Sequence, residues 1–200
     1  MILLNKQTKQ TSQPFKTNEL MFMIDRMNEN NRDLEMGILM TIGFYSGLRI
    51  SDLLQIRWSD VLKDEFIVME KKTSKNRKIL VKGKFRQLID FYYEKMKPYR
   101  TNDLIFLSPG YDDKPKSQQT LLKRFKRYSR LYTSLPLEYT SFHSLRKTFG
   151  KTLFDRNENK NGIILLLMEI FNHSKPCITR RYIGLREEEK NEVLDTLFFD

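Results

Sequence analysis

Apolar residues recur at three- and four-residue spacing along most of this chain from Thr17 onward, and one interval, residues 65 to 81, alternates as strands do. A chain patterned this way folds mainly as α-helices around a small antiparallel β-sheet or hairpin. Leu20, Met23, Ile24 and Met27 mark a first helix, and Leu34, Ile38, Leu39 and Ile42 mark a second beyond the polar stretch NENN. The segment GFYSG interrupts the second helix, and Ser51 is placed to cap a short helix over SDLLQIRW, so Arg49 falls at a helix-loop-helix corner. FIVME and RKILV flank KKTSKN and predict the hairpin. Further helices are expected over 84–97, ending before Pro98, and over 117–132, 141–156, 162–171, 176–183 and 186–198, with LIFLS as a short strand or buried turn. Residues 1–16 lack this periodicity and read as a mobile N-terminal arm.

Two hundred residues, 40% of them hydrophobic, suit one ordinary domain and exclude disordered and collagen-like classes. A single cysteine, Cys177, cannot form an internal disulfide, and with only two histidines it cannot build the usual four-ligand structural zinc site. A reducing cytosol is the compartment this implies. No apolar run approaches the roughly 18 residues of a membrane span, and MILLNKQ is too short for a signal peptide.

The formal charge is +11, and its distribution is uneven. Residues 71–86 carry eight basic and no acidic side chains, and residues 114–130 carry seven and none. A charge run is often only a solvated face. Two long runs without one acid point to a polyanion surface, with Lys71, Lys75, Arg77 and Lys78 on the hairpin and Lys123, Arg124, Lys126 and Arg127 on the helix over 117–132. That helix is the expected occupant of a major groove. The segment 187–200 reverses sign, with six acids to one lysine, while Val193, Leu194, Leu197 and Phe198 form an apolar stripe suited to protein.

Individually, the reactive side chains have plain structural readings. Arg49 could pair with Asp52 or Asp60, His173 could be a loop connector, and Tyr182 could be a half-buried aromatic. His143 and Arg146, three apart, would share one helix face. As a set they describe a phosphodiester site. Two arginines fork onto nonbridging oxygens and neutralise the charge that phosphoryl transfer develops, histidines carry protons near neutral pH, and a hairpin lysine protonates a departing oxygen. Tyrosine supplies a nucleophile that needs a base or cations to ionise.

Between Tyr45 and Tyr182 four stretches resemble the catalytic domain of the tyrosine recombinase (phage integrase) family in the family's order. GLRISDLLQIRWSDV is similar to the first arginine box, which implies Arg49 as the first active-site arginine and Asp52 as its acidic companion. KKTSKNRKILV resembles the lysine hairpin and implies Lys72, with Lys75 the alternative. HSLR matches the second box through His143 and Arg146, and NHSKPCITRRY places His173 nine residues before Tyr182. The resemblance implies a catalytic domain over 17–185 and a C-terminal helix over 186–200 that docks on a neighbouring protomer or packs on its own. It further implies attack by Tyr182 on a DNA phosphate through a 3′-phosphotyrosyl intermediate, with no cofactor and no metal. The implied partners are a double-stranded recombination site, further copies in a synaptic tetramer, and accessory DNA-bending or directionality proteins. The implied setting is a bacterial cytoplasm, at the nucleoid. Only 16 residues precede the first helix, where family members usually carry a core-binding domain, so the architecture resembles the short fimbrial phase-variation invertases. A silent DNA-binding accessory protein and a type IB topoisomerase are the alternative functions. The Leu-Gly that usually precedes the last histidine is Phe171-Asn172 here, and Asn tolerates the left-handed backbone that this turn requires.

Overall fold

The computed structural model describes residues 11–185, 194 and 195. Helix α2 (Leu34–Ser46) forms the centre, and it is apolar on every side because other elements surround it: Met36, Ile38, Leu39, Met40 and Ile42 are all fully buried. Against it pack α1 (Thr17–Asn28), α5 (Gly83–Met96) and α7 (Phe142–Arg156). Helix α6 (Gln118–Tyr132) turns Leu121, Phe125 and Ser129 inward at four-residue spacing and leaves Lys123 and Arg127 exposed on the opposite side.

The sequence SDLLQIRW does not form one helix capped by Ser51. It divides into two single turns, α3 (Ile50–Leu53) and the start of α4 (Trp58–Val61), because Asp60 accepts the Arg57 backbone N–H at 2.9 Å and begins a new turn there. Arg49 occupies the N-cap position of α3. Strands β1 (Glu65–Glu70) and β2 (Lys75–Leu80) form a two-stranded antiparallel sheet, registered from Glu65 opposite Leu80 to Glu70 opposite Lys75. Leu104, Ile105 and Phe106 form a buried turn, bridged to Arg57 through Leu104.

Beyond the main core lies a second, smaller one. Helix α8 (Lys160–Phe171) and helix α9 (Pro176–Tyr182) enclose Ile163, Ile164, Leu167, Phe171, Ile183 and Leu185 against Phe149 and Leu153 of α7. The turn between α8 and α9 depends on Asn172, which takes the left-handed conformation (φ 54°) expected of it, while the His173 N–H closes back on the Met168 carbonyl at 2.9 Å.

The mobile-arm expectation fails for the residues just before α1. Phe15 is only 3% exposed, packs edge-on to Phe125 with ring centres 5.8 Å apart, and donates its N–H to the Thr148 hydroxyl at 2.9 Å. An aromatic side chain beside the first helix found a place in the core, which a polar composition around it concealed. Residues 1–10, and all of the 186–200 segment except 194 and 195, lie outside the described residues.

Candidate active site

Gly47 ends α2 with φ 59°, and a Cβ there would stand 2.5 Å from the Phe149 ring, so glycine is required both by conformation and by space. The turn it makes aims Arg49 back toward α8, where the guanidinium donates to the Phe171 carbonyl at 3.3 Å and to Glu70 Oε2 at 2.7 Å. The start of α7 is fixed by Ser141, whose hydroxyl accepts the His143 N–H at 3.1 Å, and by Ser144, whose hydroxyl accepts the Ser141 N–H at 3.2 Å. His143 and Arg146, one turn apart, then face the same space. Arg146 is 2% exposed and donates to the Gly47 carbonyl, while its guanidinium lies 4.6 Å from the centre of the Phe171 ring. Arg146 is thus tied to the turn that carries Arg49, while Arg49 is tied to the end of α8, whose Phe171 ring lies against Arg146.

From the second core, His173 Nδ1 is 3.0 Å from the Thr179 hydroxyl, which orients the imidazole, and its ring meets the Tyr182 ring edge-on at 5.1 Å. Tyr182 Oη stands 3.4 Å from His143 Nδ1. Arg49, Lys72, His143, Arg146, His173 and Tyr182, together with Thr73, Phe171 and Asn172, line one cleft of about 240 Å³. All six side chains expected to act on a phosphate converge there, at the seam between the two cores.

Electrostatics follow from this crowding. Burial pushes the Tyr182 phenol above its ordinary value, and the Arg146 and Arg49 guanidiniums pull it back part of the way. Burial lowers His143, and Arg146, Lys147, Arg49 and Lys72 lower it further, so the imidazole is neutral near pH 7 and free to accept a proton. His173 is lowered by burial and then by Arg146, Arg49 and Lys72.

Several sequence expectations are redirected. Asp52, 1% exposed, does not serve Arg49: its Oδ1 accepts the Lys71 backbone N–H at 3.1 Å and thereby ties α3 to the hairpin turn. The carboxylate that meets Arg49 is Glu70, 3% exposed, which also faces Arg77 at 3.5 Å and Arg146 at 3.7 Å. Nothing in the sequence marks Glu70 beyond its place next to a basic run. Arg77 does not join an outer basic surface, because it turns inward to the Ser46 and Gly47 carbonyls and lies over the Phe149 ring. Arg124 is likewise taken by Asp33 and Glu35 of the α2 N-terminus. Lys75 donates to Asn172 Oδ1 at 2.7 Å, across the rim of the cleft, and Lys72 is the hairpin lysine that lines it. Lys78 pairs with Glu65 at 2.8 Å on the surface. Lys71, Lys123 and Arg127 are exposed and Lys126 is half-buried. Lys147 has no counterpart among the sequence expectations. It lies 5.0 Å over the Tyr182 ring, donates to the Ser12 carbonyl, and burial brings it down to about 8.

A mainly helical domain with one hairpin and this six-residue cleft defines the class of the tyrosine-type site-specific DNA recombinases. Residues 13–189 match the phage integrase family, and the chain belongs to it. It is 37% identical over 163 residues to a probable integrase/recombinase, YoeC, of Bacillus subtilis (strain 168), a match covering 81% of this chain and 82% of that protein. It is 29% identical to tyrosine recombinase XerC of Rickettsia bellii (strain RML369-C), covering 88% of this chain and 57% of the relative. The fold also matches the Tn1549 transposon integrase solved in complex with transposon right end DNA, with a TM-score of 0.62, 19% identity, and coverage of 88% and 65%. The chain therefore spans somewhat more than half of these last two proteins and most of YoeC.

Proposed function

We propose that Tyr182 cuts and rejoins DNA at a specific site through a 3′-phosphotyrosyl intermediate. The observation that carries this reading is the placement of Tyr182 Oη, 3.4 Å from His143 Nδ1, in one cleft with Arg49, Arg146, His173 and Lys72. In the forward step the phenol oxygen bonds to phosphorus as the bond from phosphorus to the 5′-oxygen breaks. The phenol proton passes to the neutral His143, and the ammonium of Lys72 gives a proton to the departing 5′-oxygen. Arg49, Arg146 and His173 hold the nonbridging oxygens while charge builds on them. The phosphodiester energy stays in the tyrosyl link, so attack by another 5′-hydroxyl reverses the step on a new strand.

The expected partner is a double-stranded recombination site, in keeping with the DNA-bound state of the Tn1549 relative. Exposed Lys71, Lys123 and Arg127 are its phosphate contacts. Synapsis of further copies into a tetramer, help from DNA-bending or directionality proteins, and residence at a bacterial nucleoid belong to the same reading. Among the described residues no helix is long and apolar enough to cross a membrane. Deleting residues 186–200 should leave site binding intact while reducing assembly of paired complexes, and unchanged assembly in a mobility-shift titration would reject docking of that segment on a neighbour.

The cleavage step is tested with a nicked duplex carrying a candidate site, in which loss of a short 3′ fragment traps the covalent form. The protein should yield a DNA-linked band on a denaturing gel, and Tyr182→Phe should yield none. A full-strength band from Tyr182→Phe would refute the nucleophile, and a DNA-binding protein without any band at its own site would favour the accessory reading.

A further inference from the structure

We infer that Glu70 is a positioning residue of the cleft, the internal counter-anion that fixes Arg49 and Arg146 at a common point so that a phosphate meets them already aligned. This inference rests on the proposed phosphotransfer at Tyr182. Glu70 is the last residue of β1, almost wholly buried, and three guanidiniums surround it: Arg49 Nη1 at 2.7 Å, Arg77 Nη1 at 3.5 Å and Arg146 Nη1 at 3.7 Å. Thr73, in the hairpin turn, adds a hydroxyl donor to Glu70 Oε2 at 3.2 Å.

Buried like charges repel strongly, and Arg146 and Arg77 are nearly enclosed. Without a carboxylate between them, the guanidiniums would be driven apart or would draw water and salt anions into the site. Burial opposes ionisation of Glu70, yet Arg146, Arg49 and Arg77 hold its carboxyl below the usual carboxylate range, so it is an anion at neutral pH. Three guanidiniums against one carboxylate leave two positive charges in excess, which suits a diester that arrives with one negative charge and gains more as the nucleophile approaches. Geometry adds to charge. A guanidinium has five N–H donors in one plane, and anchoring one edge on Glu70 and on the carbonyls of Phe171 and Gly47 sets where the remaining donors point. Glu70 Oε1 accepts no hydrogen bond among the described residues, and its approaches to Arg77 and Arg146 are looser than the Arg49 contact. Two of the three arginines line the cleft, whereas Arg77 lies behind it.

Two roles for Glu70 are therefore separable: aligning the two cleft arginines, or merely neutralising Arg77. Adduct formation on the nicked duplex is measured under single-turnover conditions at saturating protein, alongside affinity for the same duplex and melting temperature. Glu70→Gln should lower the saturated rate by about 30-fold or more while changing affinity less than about 3-fold, and Glu70→Asp should restore a large part of the rate. The double variant Glu70→Gln with Arg77→Met, which removes the buried pair together, should remain as slow as Glu70→Gln. Recovery of the rate in the double variant, or a Glu70→Gln rate equal to that of the unaltered chain, would overturn the inference. Should Glu70→Gln melt below the assay temperature, the double variant decides, since it removes the buried Arg77 charge together with its partner. Failure of the unaltered chain to form any adduct would instead refute the proposed function.

Discussion

A phenol releases its proton near pH 10, and burial takes Tyr182 higher still, so the activation that the proposed attack requires has to come from neighbours. His143 is the neighbour in range, and its lowered pKa keeps it unprotonated near neutral pH. Protonation at acid pH removes that acceptor. The rate of adduct formation at saturating protein should therefore be flat around neutrality and fall only below pH 6.5, the ordinary value from which His143 is lowered. His143→Gln should be slow and should lack this acid limb. A limb of unchanged position in that variant would assign the titration to His173, the other histidine of the chain. At this scale the motifs made most of the cleft legible in the sequence: Arg49, Lys72, His143, Arg146, His173 and Tyr182 all reach it. Glu70 was not, because its partners come from β2, α7 and the N-cap of α3, and no local spacing announces them. Asp52 misled for the opposite reason. The resemblance to the first arginine box implies it as the companion of Arg49, but Arg49 precedes the helix and turns away, leaving the carboxylate to the hairpin backbone.

Apart from SDLLQIRW, the described helices and the strand pair were readable from periodicity, with boundaries displaced by only a residue or two over 83–96, 118–132 and 160–171. What periodicity could not sort was which cations on an element face solvent. Helix α6 presents Lys123 and Arg127 outward but commits Arg124 to Asp33 and Glu35, and Tyr128 also donates to Asp33 at 3.0 Å. The two kinds of basic residue should separate experimentally. Replacing Lys123 and Arg127 with alanine should flatten the dependence of log affinity on log salt by about 0.9 for each phosphate that the side chain neutralises, with little change in melting temperature. Arg124→Ala should leave that slope nearly intact and lower stability by about 1 kcal/mol, a shift of roughly 2–4 °C. Calorimetry and salt titrations that gave the reverse pattern would move the DNA-facing side of α6.

Across the whole molecule the cleft sits where two apolar clusters meet, the large one bringing Arg49 and Glu70 and the small one bringing His173 and Tyr182. α7 spans both, and the chain ahead of α1 is stitched to it and to the turn before it: Phe15 to Thr148, Ser12 to Lys147, and Gln13 to the Tyr139 carbonyl at 3.0 Å. This long-range packing was invisible in a polar, aperiodic stretch. Phe15→Ala should cost about 3–5 kcal/mol in chemical denaturation, as expected for deleting a buried aromatic. A loss below about 0.5 kcal/mol, the range of an ordinary surface substitution, would return that segment to a mobile arm.

One phenol oxygen of this chain is expected to become bonded to DNA phosphorus. Digesting the trapped adduct with protease and nuclease, and sequencing the nucleotide-bearing peptide by mass spectrometry, reads that bond directly. The mass of a 3′-phosphonucleotide should fall on Tyr182 within the α9 peptide, whereas attachment at any other side chain would rule out Tyr182 as the nucleophile.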